Sequence, residues 1–337
     1  MDAVRYGLVG YGLAGSAFHA PLIAATKGAE LTAVVARSAE SGEAVSQRFP
    51  STTVVPDIAA LADLGVEVAV VATPNPTHAP LATQLMSDGI AVVVDKPLAT
   101  DVRAGTELIA HSRATGVSLT CYQNRRWDGD FLTVRALHDG GGLGRIHRFE
   151  SRFERWRPQV TPGWKEREAP GSGVLFDLGP HVIDQAVELL GPVTEFGGWV
   201  RVVRKHAQVP DDAFVELQHE SGAVSHLSVS LVVAAPGPRF RVLGTEAAYV
   251  KGGLDPQEAA LRAGQTPGGP AWGADPESDW GELRAADERR PVPTRPGDYP
   301  QFYRLMTDHM QAAGPVPVDP LDSLHSLQII ETITNTL

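Results

Sequence analysis

Cysteine is nearly absent: Cys121 is the only one in 337 residues, which excludes an intrachain disulfide and a thiolate metal cluster. Long apolar runs are missing too, so no segment is suited to spanning a bilayer. Met1–Tyr6 lacks the basic and then apolar pattern of a signal peptide. Positive charge is in deficit, with 29 Lys and Arg against 40 Asp and Glu, a net charge of -11. That balance argues against nucleic acid and anionic membrane surfaces as partners. No spacing of His, Asp or Glu reads as a metal site, so none is expected. Together these absences predict a soluble, cytoplasmic chain that works on a small molecule. What is present is a core-forming composition, 43% hydrophobic and 20% charged, on a length that suits two domains.

The stretch that organises the rest is Tyr6-Gly7-Leu8-Val9-Gly10-Tyr11-Gly12-Leu13-Ala14-Gly15. An apolar run ends in G-x-G-x-x-G and then reads as a helix, the context in which that spacing binds a dinucleotide. Gly10 permits the tight turn, Gly12 lets the backbone approach a pyrophosphate, and Gly15 lets the helix pack on the strand. With Leu13 and Ala14 they would present helix-start N–H groups to the phosphates. Three glycines alone also suit an ordinary turn, and the alternation that follows decides between the two. Strands are predicted at Val4–Val9, Leu31–Val35, Thr53–Val55, Val66–Val71, Ala91–Val94 and Ser118–Cys121. Helices are predicted between them at Gly15–Ala25, Ala39–Phe49, Pro80–Asp88 and Asp101–Ala114. Val-rich runs alternating with helices imply a parallel sheet covered on both faces.

Three strand ends carry candidate ligands. After the second strand comes Ala36-Arg37-Ser38, with no acid until Glu40. Arg37 and Ser38 therefore suit the ribose phosphate of NADP better than the bare ribose of NAD; a solvated Arg, or one stacked on adenine, is the alternative. After the fourth come Thr73, Pro74, Asn75 and His78, where two prolines impose a loop at the edge that binds ligands in such sheets. Thr73, Pro74 and Asn75 are cofactor candidates; His78 is grouped with them, although helix entry is the simpler reading. After the fifth comes Asp95-Lys96-Pro97, which would aim an ammonium into a cleft, against the alternative of a snorkelling surface Lys.

The glycine turn, Ala72–Asn75 and Asp95-Lys96-Pro97 together resemble the Gfo/Idh/MocA oxidoreductase family, with Asp95 replacing the family's usual Glu. Phe18-His19-Ala20-Pro21, Asn124-Arg125-Arg126-Trp127-Asp128 and Asp177–His181 are similar to NADP-dependent scyllo-inositol dehydrogenases within it. The resemblance covers essentially the whole chain. It implies a substrate domain after the first, and matches Lys96, Asp177 and His181 to the family's catalytic trio.

The predicted fold is therefore α/β. A Rossmann dinucleotide-binding domain spans 1–121, and 122–337 forms an α+β substrate and oligomerisation domain with an open, mainly antiparallel sheet. The terminal helices, Tyr299–Met310 and Leu321–Thr336, would pack back toward the first domain. From His147 the period changes to two, with further strands at Ala213–Gln218, Val224–Val233, Phe240–Leu243 and Ala248–Val250. Gly252–Gly297 reads as mostly loop. Asn124, Arg125, Trp127 and Trp164 are substrate-binding candidates, for polar and stacking contact with a sugar-like ring; the alternative for the first three is a surface hinge with a capping Asp128, in which one or both of Arg125 and Arg126 are structural. Pro180 suits a first helical turn, which would place His181 just inside a helix with Asp177 before it.

The expected activity is hydride transfer between NADP (or NAD) and a ring hydroxyl or ketone of a cyclitol or sugar. The alternatives are an aldose, dihydrodiol or keto-sugar enzyme of the same family, or a non-catalytic NAD(P)-binding regulator. The resemblance also implies a homodimer or homotetramer through the second-domain sheet.

Overall fold

The computed structural model describes residues 2–161, 163 and 166–335. The chain opens with β1 (Val4–Val9), a π-type helical turn (Ala14–His19) and α1 (Ala20–Ala24). Then follow β2 (Ala29–Val35), α2 (Ala39–Arg48), β3 (Thr53–Val55), α3 (Ala60–Asp63) and β4 (Val68–Val71). Next come α4 (His78–Ser87), β5 (Ala91–Val94), α5 (Val102–Thr115) and β6 (Leu119–Cys121). The six strands lie in the order β3-β2-β1-β4-β5-β6, all parallel. Every residue of β4 and β5 is buried, which is why these strands read as unbroken apolar runs. The strand order reverses between β1 and β4, and ligands of such sheets bind beyond the carboxyl ends at that switch. Local chemistry bounds the helices: Asp101 accepts the Ala104 N–H at 2.8 Å to start α5, and Gly116, at φ 71°, ends it.

Onward from β6 come α6 (Gly129–Asp139), β7 (Ile146–Glu154), α7 (Val174–Leu190), β8 (Val193–Arg201), β9 (Asp212–His219) and β10 (Val224–Ser230). They are followed by β11 (Phe240–Gly244), β12 (Ala248–Lys251), α8 (Gln257–Arg262), β13 (Gly281–Ala285), β14 (Glu288–Val292), α9 (Pro300–Ala312) and α10 (Pro320–Thr334). The second sheet has eight strands in the order β14-β13-β12-β11-β7-β10-β9-β8. It is antiparallel except where β10 lies parallel to β7. No helix of the described residues is long and apolar enough to cross a membrane.

The chain forms two compact units: residues 1–124, 257–272 and 298–324, and residues 125–256, 273–297 and 325–337. Within the stretch expected at 122–337, with its terminal helices packing back toward the first domain, residues 257–272 and 298–324 belong to the first unit. The reason is visible in α9, whose Phe302, Tyr303 and Met306 are wholly buried within that unit. Burying each stabilises the fold by roughly 1.5–3 kcal/mol relative to exposure. The expected helix end at Thr336 lies outside the described residues.

Two expectations are corrected. The stretch read as loop, Gly252–Gly297, holds α8 and the β13–β14 hairpin, which continues the sheet edge by pairing Leu283 with Tyr249 of β12. And α7 begins at Val174, so Pro180 lies inside the helix rather than in its first turn. Burial of Val174, Leu175, Phe176 and Leu178 extends the helix backward past the proline, to Gly173 at φ 95°. Gly179, just before the proline, has no side chain to crowd the ring.

Candidate active-site elements

The glycine turn separates structural glycines from one that the fold leaves open. Gly10 sits at φ +98°, and a Cβ there would lie 2.7 Å from the Ala72 carbonyl oxygen. A Cβ on Gly15 would collide with the Gly10 carbonyl oxygen. At Gly12 a Cβ would meet nothing within 4 Å. Among the described residues no neighbour requires glycine at position 12, and the room left is what an approaching pyrophosphate needs. Leu13 is exposed and Ala14 opens the π-type turn, a helical irregularity that often marks functional sites.

Arg37 and Ser38 follow β2 at the same edge, both exposed. Ser38 caps α2: its Oγ accepts the Ser41 N–H at 3.2 Å and its hydroxyl lies 2.9 Å from Ser41 Oγ. This fixes the loop while leaving Arg37 on the surface. Sequence reasoning passed over Arg48, whose guanidinium donates to the Ser16 carbonyl at 2.9 Å and ties α2 to the glycine helix.

The loops after β4 and β5 are clamped to one another. His78 is buried, with Nδ1 2.8 Å from the Pro97 carbonyl oxygen and Nε2 2.8 Å from that of Thr73. Both ring nitrogens thus face backbone carbonyls of these loops at the entry to α4. Thr73 also receives the Thr77 hydroxyl at 2.6 Å. Pro74 precedes Asn75, which opens a short 3-10 turn to Thr77. Lys96 is half-buried, joined to Pro97 by a cis peptide, and its backbone N–H donates to Asp95 Oδ1 at 2.8 Å. Burial pushes the Asp95 carboxyl up, but His19, Lys96 and His78 outweigh it and hold it below the usual carboxylate range. Behind Asp95 lies His19, wholly buried, with Nε2 3.9 Å from Asp95 Oδ2 and Nδ1 2.6 Å from the Tyr303 hydroxyl. His19 and Tyr303 carried no local signal of this pairing.

In the second unit, Asp177 and His181 stand four residues apart on α7, hence on one face of the helix. Asp177 is half-buried and His181 is buried. Asn124 begins a 3-10 turn that runs to Trp127. Asn124 is buried and Trp127 half-buried; Trp164 lies outside the described residues. Arg125 is buried, pairs with Asp128 at 3.2 Å and stacks over Phe153 at 4.6 Å. Arg126 forms a bidentate pair with Asp184 at 2.9 and 2.7 Å. The surface position and the Asp128 cap of the hinge alternative are corrected, since both arginines are buried and Asp128 makes no side-chain cap on α6, while its structural arginines match these ion pairs. Nearby, Asp130 lies 3.8 Å from Arg239. Burial, and then repulsion by Asp128, push its carboxyl up to about 6 despite Arg239 and Lys251.

Comparison with known proteins bears on both units. Residues 4–123 match the oxidoreductase family with an NAD-binding Rossmann fold, and residues 131–250 match the GFO/IDH/MocA C-terminal domain. The chain is 39% identical to the uncharacterized oxidoreductase YdgJ of Escherichia coli, over 98% of this chain and 95% of that one. It is 32% identical to the NADP(+) scyllo-inositol 2-dehydrogenase IolW of Bacillus subtilis, over 98% and 93%. Among solved structures, yvaA of Bacillus subtilis superposes with a TM-score of 0.94 at 30% identity, covering 99% of this chain and 96% of that one.

Proposed function

The chain belongs to the Gfo/Idh/MocA family of NAD(P)-dependent oxidoreductases, and we propose that it oxidises a ring hydroxyl of a cyclitol, scyllo-inositol or a close analogue, with NADP as the favoured coenzyme. The observation that carries this reading is the braced Asp95-Lys96-Pro97 loop, at the sheet edge that also carries the open Gly12. Gly10, Gly12, Leu13, Ala14 and Gly15 would hold the pyrophosphate, and Thr73, Pro74 and Asn75 the nicotinamide-side ribose. The exposed Arg37, with no acid beside it, favours a 2′-phosphate, and the NADP dependence in the name of IolW supports that choice.

Bound nicotinamide supplies the hydride acceptor, and the protein supplies position, a base and a field. The His181 imidazole takes the substrate hydroxyl proton, the general-base task that histidine most often serves. Asp177, one helical turn away, orients that ring and supports its charge once protonated. Lys96 Nζ donates to the reacting oxygen and stabilises the negative charge that grows on it. Asn124 and Trp127 are the substrate contacts; Arg125, committed to Asp128 and Phe153, acts by bracing their turn. The exposed strand β8, with Phe196 at its centre, suits self-association through the second sheet.

The test is a pair of variants. His181→Ala and Lys96→Ala should each lose turnover by two orders of magnitude or more, roughly, while binding coenzyme as the parent does. Near-parental turnover in both would refute these roles.

A further inference from the structure

We infer that His19 is a positioning residue for Lys96: Tyr303 donates its hydroxyl proton to Nδ1, so that the ring proton stays on Nε2 and faces Asp95, whose other oxygen holds the Lys96 backbone N–H. The inference rests on the role given to Lys96 above.

The geometry leaves little freedom. His19 and Tyr303 are both fully buried, and Tyr122, Phe302 and Tyr6 pack around them with ring centroids 4.4 to 6.3 Å apart. The Tyr303 hydroxyl lies 2.6 Å from Nδ1. Burial holds that phenol in its neutral, donating form far above neutral pH. If Nδ1 carried the proton instead, the bare Nε2 lone pair would face a carboxylate 3.9 Å away and a buried phenol O–H would lose its acceptor. Nε2 has no hydrogen-bond partner among the described residues and lies 3.9 Å from Asp95 Oδ2. The N–H therefore acts on Asp95 as a directed dipole from a wholly buried ring, where low dielectric strengthens it. His19 also ends the π-type turn that begins at Ala14, so the same residue connects the dinucleotide turn with the Lys96 loop.

Nitrogen-15 NMR of histidine-labelled full-length protein tests the proton placement without any substrate. The expected spectrum has His19 protonated at Nε2 and bare at Nδ1, with a mixed tautomer in Tyr303→Phe. A proton at Nδ1, or at both nitrogens, overturns the assignment. Turnover of scyllo-inositol with NADP⁺ tests the consequence. His19→Gln keeps an N–H that reaches Asp95, whereas His19→Asn keeps only the Tyr303 side. His19→Asn should lose kcat on the order of tenfold to a hundredfold with coenzyme affinity unchanged, and His19→Gln should recover most of it. Equal losses in the two variants would mark His19 as merely structural. Lys96→Met separates the two failures. Turnover surviving that change sinks the role of Lys96 itself, whereas turnover lost there but kept in His19→Asn sinks only the positioning role.

Discussion

Replacing Gly12 with alanine should separate folding from coenzyme binding. Among the described residues the added methyl meets no atom within 4 Å beyond its chain neighbours, and the position lacks the left-handed backbone that Gly10 adopts. Folding should therefore be unharmed; removing a glycine from a compatible site stabilises by about 0.4–1 kcal/mol through the unfolded chain. Coenzyme binding should suffer, because the methyl occupies the space through which the pyrophosphate reaches the backbone. Overpacking of that kind costs about 1–3 kcal/mol. At about 1.4 kcal/mol per tenfold, the dissociation constant should rise roughly fivefold to a hundredfold. Gly15→Ala is the opposite case: its methyl would strike the Gly10 carbonyl, so the protein itself should lose stability. Urea denaturation and fluorescence titration with NADPH measure the two effects. A Gly12→Ala variant with parental stability and parental coenzyme affinity would refute this placement of the pyrophosphate.

Three further outcomes follow from the site. Arg126→Ala leaves Asp184 buried without its bidentate partner, and should cost about 3–5 kcal/mol in urea denaturation; a loss below about 1 kcal/mol would show the pair to be dispensable. Asp130, raised to about 6, favours the fold while protonated, and that contribution is lost as pH rises from about 4 through 6. The stability of Asp130→Asn relative to the parent should then rise by on the order of 2 kcal/mol between pH 4 and pH 7.5; a flat difference would contradict a raised carboxyl. Arg37→Glu should invert coenzyme preference by weakening NADP⁺ roughly a hundredfold, about 3 kcal/mol for a lost charge-assisted pair; an unchanged NADP⁺ to NAD⁺ ratio would free Arg37 of any phosphate contact.

Much of this was legible because its chemistry is local. Gly10, Gly12 and Gly15 report a strand turning into a helix within six residues, and the valines of β4 and β5 report strands covered on both faces. Asp95-Lys96-Pro97 is likewise one short word at a strand end. What could not be read depends on distant partners. His19 and Tyr303 are 284 positions apart, and only the folded first unit joins them. Arg125 looks like a ligand in a polar, aromatic stretch, but it pairs with Asp128, and its neighbour Arg126 is held by Asp184. From sequence alone the start of α7 is misplaced because Pro180 favours a first helical turn, and burial of Val174, Leu175, Phe176 and Leu178 instead carries the helix further back, to Val174. The β13–β14 hairpin has too few apolar residues to announce itself and forms by continuing an existing sheet edge.

The most direct test is to mix the purified protein with NADP⁺ and scyllo-inositol and follow the near-ultraviolet absorbance of reduced nicotinamide. NAD⁺, other cyclitols and aldoses run in parallel. Steady reduction with scyllo-inositol, faster with NADP⁺ than with NAD⁺, is the predicted result. Coenzyme binding with no reduction by any cyclitol or aldose would contradict it.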